Sequence, residues 1–259
     1  MHEAGQYLKL ENNAVKCSLC NHRCTITDGK HGICGVRVNN HGTLRAMTYG
    51  KISAEAVDPI EKKPLFHYLP GTLSYSLGSV GCNFHCEHCQ NWHISRADLD
   101  TAPLRSLEPA EGVKRAIASG SASISWTYNE PTIWHEYTRE MGTLAKEKGL
   151  GTIYVTNGYI TEEALRELSP MLGAFRVDLK AFTEDFYKKI CGAKLQPVLD
   201  SAQLARELGM HVETVTLVIP GLNDSMEEQE GLIRWVIEHL GPETPMHFSA
   251  FHPDYKMLN

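Results

Sequence analysis

Seven of the eight cysteines in this chain fall into two groups whose spacing suits metal ligation. The first is Cys17-x2-Cys20-x3-Cys24-x9-Cys34, with His22 and His31 nearby as alternative donors. Four thiolates satisfy a closed tetrahedral zinc site, and such a site would order a segment with little core of its own. An auxiliary iron–sulfur cluster would use the same four ligands. The second group is Cys82-x3-Cys86-x2-Cys89, three thiols on one short loop. A cubane cluster takes one thiolate per iron, so three cysteines leave one iron open to an exogenous ligand. A zinc ion completed by His85, His88 or His93 is the competing reading of that spacing. Cys191 stands apart and is expected to be a small buried residue.

The three-cysteine loop must be positioned by the apolar run that precedes it. Leu73–Val80 reads as the first of six strands, followed by Ala122–Trp126, Thr152–Thr156, Phe175–Leu179, His211–Ile219 and Met246–Phe251. Helical patterns separate them. Ile133, Trp134, Tyr137, Met141 and Leu144 form an apolar stripe after Pro131. Thr161 precedes one helix, Pro197–Leu208 forms another, and Ser225-x-x-Glu228 reads as a capping box. Strands alternating with helices predict an α/β fold with a parallel sheet curled into a partial (β/α)6 barrel, with ligands at the strand C-termini. A doubly wound sheet fits the same spacing. Residues 1–72 read as a separate Cys-rich, metal-binding module and residues 73–259 as the barrel. Within the module, Asn39-Asn40-His41-Gly42 marks the turn of a small hairpin.

Composition narrows the functional classes. The chain has 259 residues, 42% of them hydrophobic, ample for a globular core. With 25 Lys+Arg against 31 Asp+Glu, the net charge of −6 removes the electrostatic case for non-specific nucleic-acid binding. No apolar run suits a membrane span or a signal peptide, so a cytoplasmic protein is expected. Clustered cysteines in such a setting read as metal ligands rather than disulfides.

The Cys82-x3-Cys86-x2-Cys89 motif behind the first strand of a βα repeat resembles the radical S-adenosylmethionine (SAM) superfamily, in particular the branch containing pyruvate formate-lyase activating enzymes. The runs Asp58–His67, Gly81–Phe84, Cys89–Asn91, Tyr128–Pro131 and Phe251–Lys256 further resemble the radical SAM member of the AmmeMemoRadiSam system. That resemblance implies a [4Fe–4S] cluster on Cys82, Cys86 and Cys89, with SAM bound at the open iron and cleaved reductively to a 5′-deoxyadenosyl radical. It places His88 against the adenine, where relatives carry an aromatic residue. It places Asn129 and Glu130 near the SAM amino group, and Thr156 and Asn157 on the ribose and carboxylate side. Asp178 and Lys180 would contact SAM or its ribose, and His252 the nucleoside. Val155 stands where relatives carry a further carboxylate, so a cation site beside Asp178 is not expected. Relatives continue past the sixth strand with more βα structure and a cysteine pair, so a chain ending at Asn259 reads as a short or truncated form.

The resemblance also implies a low-potential electron donor such as flavodoxin or ferredoxin, and a Memo-like protein partner. Two alternatives stand beside this reading. One is an activating enzyme that abstracts hydrogen from a glycyl-radical enzyme. The other is a zinc-binding interaction protein without catalysis.

Overall fold

The structure is a computed structural model that describes residues 2–258. Its centre is one seven-stranded sheet: β1 (Ala54–Pro59), β2 (Leu73–Gly78), β3 (Ser123–Trp126), β4 (Gly151–Thr156), β5 (Ala174–Asp178), β6 (His211–Val218) and β7 (Met246–Ala250). Each strand pairs with its neighbour in sequence; β2 to β7 are parallel and β1 joins β2 antiparallel. The six expected strands are present within two residues of their expected bounds, in the order of a partial (β/α)6 barrel.

Strands β2 to β6 are largely buried on both faces, as parallel strands with helical crossovers must be, while the edge strands β1 and β7 are more exposed. In β4, Tyr154 joins the core between the sheet and its helices, while Ile153 and Val155 face inward. At the barrel floor Ile153 and Ala174 meet Ile60 and Leu65, with Tyr68 packed beside them. Residues 54–72, grouped by composition with the amino-terminal module, therefore belong to the barrel by hydrogen bonding and packing. They supply an edge strand and the plug that closes the floor.

The helices start where short polar side chains can take up free N–H groups. Thr161 accepts from Ala164 at the head of Glu162–Leu168. Ser225 accepts from the Glu228 N–H at 3.3 Å at the head of Met226–His239. The capping box is only half made, because the Glu228 carboxylate accepts from the Phe182 N–H at 2.7 Å instead. After Pro131 the chain makes a tight 3-10 turn, Pro131–Trp134, before the α-helix His135–Glu147. Among the described residues no helix is long and apolar enough to cross a membrane.

The amino-terminal segment folds as two small antiparallel sheets. The expected hairpin pairs Arg37–Asn40 with Thr43–Ala46, and its turn residues His41 and Gly42 both take positive φ, as a two-residue hairpin loop requires. Val15, Leu19, Ile26 and Leu44 enter the main core rather than forming one of their own. Arg37, 1% exposed, reaches across to the barrel helix and pairs with Glu136 at 2.6 Å. Isolated, either charge would be costly to bury.

Where β2 runs into the cysteine loop, the module and barrel touch at Gly81. Its φ is 84°, and a Cβ there would lie 2.6 Å from Val36 Cγ1 and 2.7 Å from the Cys34 carbonyl oxygen. Gly81→Ala is expected to lower the unfolding free energy by about 2–5 kcal/mol, through left-handed strain together with an overpacked contact. Urea denaturation would read this as a lower midpoint. An unchanged midpoint would mean that the module yields freely.

Candidate functional site

A cavity of about 460 Å³ opens at the carboxyl ends of the strands. The loop after β2 brings Cys82, Cys86 and Cys89 to its wall, with His88 between the last two. The same wall holds Asn129 and Glu130 from the turn after β3, Thr156 and Asn157 at the end of β4, and Asp178 and Lys180 at the end of β5. His252 is not brought there. The chain has left the sheet after Ala250, and the His252 ring is exposed, with Nδ1 3.0 Å from the Pro253 carbonyl.

The cysteine loop has almost no regular structure, so its shape is set by hydrogen bonds from outside. The His85 N–H donates to the Cys191 carbonyl at 2.8 Å, and the Glu87 N–H to that of Ile190 at 3.2 Å. Arg96, just past the short helix Trp92–Ser95, donates to the carbonyls of Cys82 and Phe84. Around the thiols, Cys82 Sγ accepts from the Phe84 N–H at 3.4 Å and lies 3.8 Å from Asn157 Nδ2, while Cys89 Sγ sits 3.3 Å from Ser95 Oγ. Burial pushes the Cys82 thiol up, and the neighbouring Cys191 thiol together with burial pushes up Cys86.

The donor set fits a cluster held by three thiolates. Three thiols share one cavity wall, and the buried Nδ1 of His88, on the same wall, has no protein partner. Such orphaned polar atoms beside a cavity are the ones a bound group satisfies. Burial, with Lys180 nearby, pushes His88 down to about 3, so its ring is neutral at physiological pH.

Other residues on the wall already hold protein partners. Glu130 accepts from the Thr132 N–H at 2.9 Å, Thr156 Oγ1 at 2.6 Å and the Asn157 N–H at 2.8 Å. It thus caps the following helical turn and binds the end of β4 to that of β3. Burial raises its pKa despite these bonds. A carboxylate offers about four acceptor positions, so one stays free. Asn129 is committed more fully: its Oδ1 accepts from the Ser79 N–H at 3.0 Å and its Nδ2 donates to the Gly81 carbonyl at 3.0 Å. Asn157 donates to Asn83 Oδ1 at 2.8 Å and closes its own turn by accepting from the Tyr159 N–H.

The wall carries two charged triplets. Asp178 lies between Arg176, which salt-bridges it, and Lys180 at 3.0 Å. Burial disfavours the Asp178 carboxylate, but these two cations hold its pKa below the usual range. Asp58 lies between Lys62 at 3.0 Å and Lys63 at 2.9 Å, and also accepts from Tyr128. Burial opposes its ionisation too, yet the two lysines pull it down to about 2. Sequence reasoning missed Asp58, Lys62, Lys63 and Arg176 as wall residues. The alternation that put Asp178 and Lys180 on one face extends to Arg176. Nothing local announces that 58–63 folds into the barrel.

The four amino-terminal cysteines line one small enclosed cavity, walled by Leu19, Ile26, Ile33 and Ile133. Burial pushes up the thiols of Cys17, Cys20 and Cys34. Arg37 also borders this cavity, and its Nε and Nη1 are buried without partners. A guanidinium with unpaired N–H groups beside four thiols fits an anionic metal–thiolate centre.

Comparison with known proteins bears on the whole arrangement. The family model described as the radical SAM superfamily matches residues 77–235. The chain is 46% identical over 259 residues to an uncharacterised protein of Methanocaldococcus jannaschii, covering 100% of this chain and 77% of that protein. It is 26% identical over 153 residues to a pyruvate formate-lyase-activating enzyme of Clostridium pasteurianum, covering 57% of this chain and 62% of that protein. Among solved structures, Streptococcus suis SuiB bound to precursor peptide SuiA shares the fold with a TM-score of 0.55 at 17% identity, over 70% of this chain and 40% of that one. A family match across more than half of the chain decides the question that spacing left open: the protein belongs to the radical SAM superfamily and is an enzyme that uses SAM and a [4Fe–4S] cluster.

Proposed function

We propose that this enzyme cleaves SAM reductively and uses the product radical to abstract hydrogen from a substrate handled with a Memo-like partner, within a system of the AmmeMemoRadiSam type. The observation that carries the cleavage reading is the presence of three thiols, Cys82, Cys86 and Cys89, on one wall of the barrel cavity. These residues would hold the cluster. When bound, it supplies one electron to the sulfonium of SAM, which splits into methionine and a 5′-deoxyadenosyl radical.

The chain's own residues bind, orient and shield. The free acceptor position of Glu130 suits the SAM ammonium, and Lys180 and Arg176 suit its carboxylate. Asp178 offers an acceptor to the ribose hydroxyls. His88, neutral and buried, presents a flat ring to the adenine with Nδ1 free to bond. Thr156 and Asn157 act on SAM through Glu130 and the cysteine loop rather than alone. The plug of residues 60–68 keeps water from entering through the floor, which a radical intermediate requires.

Cys17, Cys20, Cys24 and Cys34 would hold a structural zinc ion, with Arg37 offsetting the thiolate charge. The runs Asp58–His67 and Phe251–Lys256 support the AmmeMemoRadiSam assignment. Activation of a glycyl-radical enzyme is the second reading, favoured by the likeness to the Clostridium pasteurianum activating enzyme. An electron donor such as flavodoxin or ferredoxin serves either reading.

Two outcomes test this. Reduced anaerobically with SAM, the wild-type protein is expected to release 5′-deoxyadenosine, detected by mass spectrometry, and Cys82→Ala/Cys86→Ala/Cys89→Ala to release none. Wild type should carry about four irons per chain with zinc alongside; about eight irons would replace the zinc assignment with a second cluster. Arg96→Met should leave the fold intact yet speed iron loss to a chelator by about tenfold, the usual scale for removing a group that orients ligands. Equal rates would mean that Arg96 does not orient the loop.

A further inference from the structure

The barrel floor gathers side chains that the SAM cavity does not use. Glu213, near the start of β6, is fully buried, and its carboxylate collects donors from three elements. Oε1 accepts from His211 Nε2 at 2.8 Å and from the His67 N–H at 2.9 Å. Oε2 accepts from His247 Nε2, on β7, at 2.6 Å and from the Phe66 N–H at 3.1 Å. The His67 ring brings Nδ1 to 3.6 Å from that same Oε2. One donor atom each from His67, Glu213 and His247 lies within 4.8 Å of the other two.

This carboxylate lacks the partner a buried charge usually has. Its acceptor positions are taken by His211, His247 and the two backbone N–H groups. Among the described residues its salt-bridge partners are all histidines, and it has no lysine or arginine. Buried charges are paired or coordinate metals.

The geometry points to a divalent metal site on the barrel floor, in which His67, Glu213 and His247 ligate a zinc ion. Two imidazoles and one carboxylate are a donor set that zinc uses, and the nitrogen ligands disfavour magnesium and calcium. His247 would ligate through Nε2, the ring nitrogen that faces Glu213, the ion taking the place of their direct contact. His211 keeps Oε1 in place, as groups behind a ligating carboxylate do. The His67 side chain is 62% exposed, which gives the ion a way in.

The position assigns the role. Glu213 and His247 stand at the amino-terminal ends of their strands, while Val215, Leu217 and Ser249, further along, face the cavity. At that end of a βα barrel, side chains serve stability rather than chemistry. The ion would tie the floor plug to β6 and β7, and the plug carries Lys62, Lys63 and Pro64 into the cavity wall.

The test uses the full chain with its iron–sulfur cluster assembled, equilibrated with zinc and then dialysed. Wild type is expected to retain one more zinc per chain than His67→Ala or His67→Ala/His247→Ala, at equal iron content. Added zinc should raise the melting temperature of wild type and of neither variant. His67→Ala removes an exposed ring and keeps its backbone bond to Glu213, so it should fold. The zinc-edge absorption difference between wild type and His67→Ala should show nitrogen and oxygen neighbours without sulfur. Equal zinc content in all three proteins, or a sulfur-only difference, overturns the site and leaves a hydrogen-bonded latch.

Discussion

Arg37 can be buried only because Glu136 meets it, and the amino-terminal module is arranged around that pair. One guanidinium nitrogen bonds Glu136 at 2.6 Å, and the other Glu136 oxygen accepts from the Gly5 N–H at 2.9 Å. The remaining guanidinium N–H groups lie against the four-cysteine cavity. A single side chain therefore faces the barrel helix on one side and the cysteine module on the other. The module in turn braces the three-cysteine loop: Cys34 and Val36 press on Gly81, and His22 Nε2 lies 2.7 Å from the Asn83 carbonyl. The placement of Cys82 thus depends on a chain of contacts that begins with a buried ion pair.

Electrostatics organises the cavity in the same economical way. Each of its two aspartates, Asp58 and Asp178, sits between two cations, so each triplet carries net positive charge. Lys180 also lies close to the thiols of Cys86 and Cys191. A cation there favours thiolate over thiol, opposing the burial that raises Cys86. The wall thus sets cationic groups beside the thiols.

Much of this was legible in the sequence, for reasons that differ by element. The six parallel strands are β-branched or aromatic runs bounded by Gly, Pro and helix caps, and local pattern suffices to find them. The cysteine groups declare themselves because ligand spacing is a local property. What stayed hidden depends on distant parts of the chain. Residues 58–64 look like a polar loop, and only pairing of Ala54–Pro59 with Leu73–Gly78 carries them to the cavity. Cys191 looks isolated, yet the turn that holds it supplies the carbonyl that anchors the cysteine loop. The motif near the end of β7 offered His252 as a nucleoside contact, and in the structure its ring lies exposed beside Pro253, outside the cavity lining. The Glu213 cluster joins residues from three elements, and no periodicity could have linked His67 to His247.

The cysteine loop is held at its middle by backbone carbonyls and along its first half by Arg96, which bears on how a proposed cluster site would fill. A ligand whose competent conformation is rarely populated loses affinity in proportion to that rarity. Here the bonds from His85 and Glu87 to the turn at residues 190–191 tie the middle of the loop to the barrel. In the proposed cluster site each such bond would lessen the ordering that binding has to accomplish, leaving more of the free energy of iron–thiolate bond formation for retention.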